Sequence, residues 1–471
     1  MRVALVVPKW TNTLGRFDFL AQLMVVHYPL NVAILAKYIE KYGNEVEIID
    51  GQAEQLSNSE ITNMILKKGF DLVGYSVTSP LYNSVLEIAS NIKRDKPNIK
   101  QIIGGAHINV LQKDAYNDCF DFLVFGEAEE TIVELLDYLN NRSFLTVDTI
   151  EGIIYKNKSG DIVQNKPRKP INNLDEIEFQ AAHLVNLGKY SLYEGANKKS
   201  KGYVSIMASR GCPYKCAFCA EPLNNRGVRF RSPENIVKEM DFHFSTLNVR
   251  HFFFVDSCLT LNRDQILRLC NLLSEKKLPI TWSGWTRVNL VDEELLFKMK
   301  KTGFIVMSMG VESADPQILK NIKKDITVQQ IKNAFMLAKK LKIESFCSAM
   351  IGLPGETRIS AWKTIKFIRN TPEISYSTFS IATPYPGTEM NNWLLDEKFG
   401  MKFLDRDNSS KSRWGYSAFK VNDLEPKDLV TLQRWGLFWI HFTPQRIIYI
   451  YKMLGFKNFI KLILNFFRLS S

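Results

Sequence analysis

Twice along this chain short apolar runs alternate with stretches of helical period, and that alternation restricts the fold more than any other feature. In the first 140 residues the runs are Val3–Val7, Val46–Ile49, Leu72–Val77, Gln101–Ile103 and Phe122–Phe125, with helical patterns such as Leu30–Tyr42 and Asn83–Lys93 between them. Strands separated by helices pair in parallel, because a parallel neighbour can only be reached by a crossover. The expected fold is α/β, beginning with a doubly wound parallel sheet over residues 1–140. Such a sheet binds ligands at the carboxyl ends of its strands. At those ends stand Pro29, Ser76-Val77-Thr78-Ser79, Gly104-Gly105-Ala106-His107 and Gly126-Glu127. Small residues there let a large flat ligand approach the backbone.

The alternation resumes at Tyr203 with strand-like runs at Tyr203–Ala208, His251–Val255, Ile280–Trp282, Phe304–Met309, Ser345–Ile351 and Tyr376–Ala382. About six β/α units fall short of the eight of a full TIM-type barrel, so a partial barrel is expected over 203–394. Residues 141–202 read as a linker, with Lys166–Pro170 extended and Glu194–Lys201 a polar loop. Residues 395–471 read as a mostly helical region.

Composition removes several classes. With 45% hydrophobic and 23% charged residues among 471, the chain is neither disordered nor fibrous. The apolar run Val3–Val7 is too short for a signal peptide, and nowhere do 18 apolar residues run without a charge. Seven cysteines, an odd number, argue against a disulfide framework and for a cytoplasmic protein. The net charge of +12 is unevenly spread: Pro444–Ser471 holds five Lys/Arg and no acid. No nucleic-acid partner is expected.

The chemistry lies in Arg210-Gly-Cys212-Pro-Tyr-Lys-Cys216-Ala-Phe-Cys219, a Cys-x3-Cys-x2-Cys triplet after a predicted strand. Thiolates are the soft ligands selected by zinc and by iron–sulfur clusters, and three so close together repel one another unless a metal neutralises them. Zinc wants a fourth ligand, and neither His nor Cys stands at finger spacing nearby. A cluster held by three cysteines leaves one iron open to a ligand from outside the protein.

This triplet, with Phe218 before its third Cys, resembles the defining motif of the radical S-adenosylmethionine (SAM) superfamily. Met309-Gly310-Val311-Glu312-Ser313 looks like the family's strand whose acidic and small residues contact SAM. Met350-Ile-Gly352-Leu-Pro354-Gly355-Glu356-Thr357 looks like its adenine-side turn, where Gly352 and Gly355 let backbone amides approach a ligand, and Tyr385-Pro386-Gly387-Thr388 matches its sixth-strand signature. Asp256 and Arg287, at other strand ends, join the SAM-binding candidates. The domain ahead of the triplet resembles the cobalamin-binding subclass, through Tyr28-Pro29-Leu30, Gly104-Gly105-Ala106-His107 and Phe125-Gly126-Glu127-Ala-Glu129-Glu130-Thr131. Its flavodoxin-like site would then comprise Ser76, Val77, Thr78, Gly104, Gly105, His107, Gly126 and Glu127. The Asp-x-His-x-x-Gly signature of cobalt-ligating domains is absent, so no histidine is expected on cobalt; His107 reads equally as a structural histidine. No further Cys cluster exists for an auxiliary iron–sulfur centre.

The resemblance implies that Cys212, Cys216 and Cys219 hold a 4Fe–4S cluster that reduces SAM. The resulting deoxyadenosyl radical activates a carbon of a small-molecule or lipid-like substrate, cobalamin delivers a methyl group, and a second SAM remethylates it. An electron donor such as flavodoxin or ferredoxin is implied. The rivals are cobalamin-assisted cyclisation or rearrangement, and a non-catalytic sensor. Finally, Thr443-Pro444 starts a helix well, and at 100° per residue Arg446, Lys457, Lys461 and Arg468 share a sector of roughly 60°. A basic amphipathic helix over 444–471 is expected to touch a membrane or a lipid-like substrate.

Overall fold

Each apolar run of the first 140 residues becomes a strand. The computed structural model describes residues 1–11, 26–142, 144–194, 198–221, 227–404 and 415–468. It divides into two units, Met1–Thr13 with Tyr28–Lys189, and Leu14–His27 with Tyr190–Ser471. In the first, β1 (Arg2–Val7), α1 (Leu30–Lys41), β2 (Glu45–Asp50), α2 (Asn58–Lys68), β3 (Leu72–Ser76), α3 (Tyr82–Asp95), β4 (Lys100–Gly104), α4 (Ala106–Leu111), β5 (Phe122–Val124) and α5 (Glu129–Leu139) follow in turn. The sheet order β2-β1-β3-β4-β5, all parallel, is that of flavodoxin. Val73, Ile103 and Leu123 on the strands and Ile65, Ile88 and Ala89 on the helices are fully buried in one core. A capping box starts α2, where Ser57 accepts from the Glu60 amide, and left-handed Gly69 ends it.

The stretch expected as a linker differs. Two short strands within it, β6 (Ile153–Lys156) and β7 (Ile162–Gln164), extend the first sheet beyond β5 in antiparallel fashion. Such a hairpin needs no crossover helix, so the β/α period that marks the other strands is missing there. The expected polar loop is likewise a hairpin, β8 (Ser191–Glu194) with β9 (Lys198–Lys201); residues 195–197 of it lie outside the described residues.

In the second unit, β10 (Val204–Ile206) leads through the antiparallel pair β11 (Ser209–Arg210) and β12 (Arg229–Phe230) to α6 (Pro233–Leu247) and β13 (His251–Phe254). Then come α7 (Arg263–Lys276), β14 (Thr281–Thr286), α8 (Glu293–Lys301), β15 (Phe304–Glu312), α9 (Pro316–Asn321), α10 (Val328–Lys340), β16 (Glu344–Ile351), α11 (Arg358–Arg369) and β17 (Tyr376–Ile381). Six strands pair in parallel in the order β10-β13-β14-β15-β16-β17, the partial barrel the sequence implies. Aromatic packing ties neighbours together: Trp282 lies 5.5 Å from Phe254 and 4.7 Å from Phe304, centroid to centroid. All carboxyl ends of a parallel sheet face one way, which gathers the candidate residues.

The C-terminal part adds α12 (Glu389–Leu395), the hairpin β18 (Met401–Phe403) and β19 (Phe419–Val421), α13 (Pro426–His441) and α14 (Pro444–Arg468). Here the structure corrects the sequence. Gly455, at φ 72° and ψ 165°, breaks α14 into two helical halves, so one angular phase does not run through it. Arg446 is not on a solvated polar stripe: it is buried, and donates to the carbonyls of Ile368, Thr371 and Ile440 at 2.7–2.8 Å and of Ile374 at 3.1 Å. Residues 469–471 of the expected helix lie outside the described residues.

Candidate functional site

The cysteine loop is an excursion between β11 and β12, clamped where Gly211 passes Gly227. Gly211 holds φ 94°, and a Cβ on it would strike the Gly227 carbonyl. The loop is pinned from two sides: the Ala217 amide donates to Ile322 O at 3.0 Å, and the Met390 amide donates to Ala217 O at 2.8 Å. Within it, the Cys219 amide donates to Cys216 O at 3.0 Å. Cys216 is buried, while Cys212 and Cys219 are partly exposed. Burial pushes the Cys219 thiol up to about 11, and the neighbouring Cys216 and Cys212 add to the rise. Thiolates gathered this closely repel one another unless positive charge offsets them. Among the described residues no three His, Cys, Asp or Glu converge on a single ion. Three cysteine thiols are a donor set that would hold an iron–sulfur cluster, and the residues present fit that group.

Positive charge stands next to the loop. Arg287, at the end of β14, brings Nη1 to 3.7 Å from Cys216 Sγ and lays its guanidinium 3.5 Å over the Tyr214 ring. It also donates to the carbonyl of Lys324. Lys324 Nζ forms a buried ion pair with Glu312 at 2.9 Å and sits 5.8 Å from the Phe218 ring centre. Thus Phe218, Arg287 and Glu312 gather around one buried lysine. Glu312 holds φ 64° at a register shift between β15 and β16, and Gly310 leaves the room that the pair occupies. Sequence reasoning missed Lys324 and Tyr214. Tyr214 lay inside the motif, but Lys324 carried no local signal.

Other candidates have structural work. The Asp256 carboxylate accepts from the Ala208 amide at 3.0 Å and the Ser209 hydroxyl at 2.5 Å, tying the end of β13 to the chain entering the cysteine loop; burial raises its pKa. Ser313 bonds Thr364 Oγ1 at 3.1 Å and accepts from the Asp315 amide. The turn Gly352–Gly355 spends the amides it was expected to offer a ligand: Gly352 N donates to Glu356 Oε2 at 2.6 Å and Gly355 N to Phe399 O at 3.0 Å. The Pro354 carbonyl accepts from Asn321 at 2.9 Å. Burial lifts Glu356 to about 8, and its Oε1 has no partner.

In the first unit, the ends of β3 and β4 bring Ser76, Val77, Thr78, Gly104, Gly105 and His107 together. The Val77 amide donates to Gly104 O at 2.9 Å and the His107 amide to Val77 O at 3.2 Å. Gly105 holds φ 100°, and a Cβ there would lie 2.7 Å from both Val77 N and Val77 O. His107 packs tilted against Tyr82, ring centroids 4.3 Å apart, and shares a 3.0 Å hydrogen bond through Nδ1 with Ser79. Burial lowers its pKa to about 4, so the ring is neutral, and its buried Nε2 has no partner. A neutral polar atom awaiting a partner beside small residues at a switch-point sheet fits a corrin. Gly126 and Glu127 are less available: Gly126 N donates to Asn109 Oδ1 at 2.7 Å, and Glu127 accepts from the Ile171 amide at 2.7 Å. A surface depression of about 520 Å³ lies elsewhere, among Met1, Phe70, Asp71 and Lys100 at the opposite ends of these strands. It contains none of the candidates.

Comparison with known proteins agrees with both halves. The radical SAM superfamily matches residues 206–368, and the B12 binding domain matches residues 18–136. Over 407 residues the chain is 33% identical to a protein of Pyrococcus horikoshii named uncharacterized methyltransferase PH0819, with 84% of each covered. It is 28% identical over 377 residues to the anaerobic magnesium-protoporphyrin IX monomethyl ester cyclase of Rubrivivax gelatinosus, covering 78% of this chain and 66% of that one. Its fold resembles the radical SAM methyltransferase TsrM of Kitasatospora setae, solved with cobalamin and a 4Fe–4S cluster bound. The TM-score is 0.70 at 14% identity, with 99% and 98% covered. The family's cofactors are the cluster, SAM and, with the B12 domain, cobalamin. The chain belongs to the radical SAM superfamily, as an enzyme of the cobalamin-binding branch that includes methyltransferases.

Proposed function

We propose that this enzyme transfers a methyl group to an unactivated carbon of a small-molecule or lipid-like substrate. The observation that carries the reading is the company of Cys216: a buried thiol faced by Arg287, with the Lys324–Glu312 pair beside Phe218. When bound, the cluster and SAM supply hydrogen abstraction and cobalamin supplies a methyl group. Cys212, Cys216 and Cys219 would hold the cluster, and Arg287 would offset thiolate charge. Phe218 and Glu312 would line the SAM side, with Lys324 pairing with the Glu312 carboxylate and fixing its position. Asp256, Ser313 and the Gly352–Pro354–Gly355 turn would act behind them, fixing the strand ends. In the first unit Ser76–Thr78, Gly104, Gly105 and His107 would face the corrin, with neutral His107 donating or accepting a hydrogen bond rather than ligating cobalt. Gly126 and Glu127 would shape the loop beyond. An electron donor such as flavodoxin or ferredoxin is required.

A second reading, cyclisation or rearrangement without methyl transfer, is favoured by the likeness to the Rubrivivax cyclase. Anaerobically reconstituted protein given dithionite and SAM deuterated in its methyl group separates the two. Release of 5′-deoxyadenosine is expected, with label on the corrin extracted from the protein. Deoxyadenosine without labelled corrin would support the cyclase reading; neither product would overturn both.

A further inference from the structure

We propose that the C-terminal helices form a docking surface for an anionic lipid bilayer, on which the protein lies without crossing it. From Leu429 to Ser471 there is no Asp or Glu, against six Lys/Arg. One of the six, Arg446, is buried as a clamp on the ends of α11 and α13, and so fixes the first half of α14 to the protein body. The second half sets its own direction at Gly455. Phe459 and Leu462 are half-buried on one side of it, whereas Phe456 is 67% and Leu464 57% exposed, with Ile460 and Ile463 also exposed. At 100° per residue these four exposed positions span about 100°, bordered by Lys457 and Lys461. Trp439 and Phe442 at the end of α13 are exposed as well.

Apolar side chains flanked by lysine and free of acid complement a negatively charged interface, where aromatic residues settle at headgroup depth. A surface built for protein contact alone has no need to exclude every carboxylate from 43 residues. Among the described residues no helix is long and apolar enough to cross a membrane, so the surface lies on the bilayer. This inference does not depend on which reaction the enzyme performs.

The test is co-sedimentation of the full chain with vesicles of phosphatidylcholine, with and without phosphatidylglycerol. Binding is expected to the anionic vesicles only, and to weaken with added salt. Lys457→Gln with Lys461→Gln should lower partitioning about 30-fold. Ile460→Ser with Leu464→Ser should abolish it. Both pairs are exposed, so solubility and deoxyadenosine release should stay unchanged. Absence of binding by the full chain, or binding indifferent to both pairs, overturns the proposal. So does a dimer that either pair converts to monomer without any vesicle binding, which would make this face an interface between copies of the chain.

Discussion

What a buried cysteine does here is decided by its neighbours. Cys347 is fully buried and its thiol is pushed up to about 12, so it is an inert packing group. Cys216 is also buried but has a guanidinium against it. Replacing Cys216 with Ala should reduce iron in anaerobically purified protein from about four per chain to a small fraction, because two thiolates do not retain a cluster; iron and sulfide analysis checks this. Glu356 offers a pH test. Its usual pKa of 4.5 rises to about 8 on folding, so between those values the folded chain keeps a proton that the unfolded chain has lost. The associated stability is full below the lower value and declines as pH rises through the upper one. Glu356→Gln should flatten that decline, read as urea midpoints across the window. The cysteines were legible because spacing in the chain is the chemistry. Lys324 was not, since its partnership with Glu312 is made by a bulge in a strand that no local pattern announces.

At the scale of elements, periodicity told the truth wherever a strand was followed by a helix. The eleven predicted strands all formed, because a parallel strand buried on both faces is a continuous apolar run. The antiparallel additions β6 to β9 were opaque because they join as hairpins of three or four residues per strand, too short to set a period and with no helix following. The final helix failed in another way. An angular argument assumes unbroken phase, and Gly455 interrupts it. Before that break, Arg446 is not a surface charge but a staple on the carbonyl ends of α11 and α13, where burial lowers its pKa to about 10. Arg446→Met should lower the unfolding free energy by about 3–5 kcal/mol, since it strands several buried carbonyls. Lys452→Met, at an exposed position of the same helix, should change it by less than about 0.5 kcal/mol. Denaturant titration compares the two.

For the whole molecule, the division into two units separates the candidate cofactor residues cleanly: the corrin set lies within Met1–Lys189 and the cysteines within Tyr190–Ser471. Removing all three cysteines by Cys212→Ala, Cys216→Ala and Cys219→Ala should therefore abolish the cluster's absorbance and leave cobalamin absorbance in reconstituted protein. Loss of both chromophores together would show that the units are not independent in binding.

The order of strands in the second sheet also has a consequence for synthesis. From β14 onward each strand pairs with the one made just before it, so the sheet can grow by accretion as the chain leaves the ribosome, at roughly 5–20 residues per second. Its last helices cannot be finished that way. The carbonyls at the end of α11 and in the loop after it wait for Arg446, 72 to 78 residues later in the chain, and a nascent chain halted before that point would carry the whole sheet with those carbonyls unmet by Arg446. Closure of the end of α11 thus waits on one arginine made well after the sheet itself.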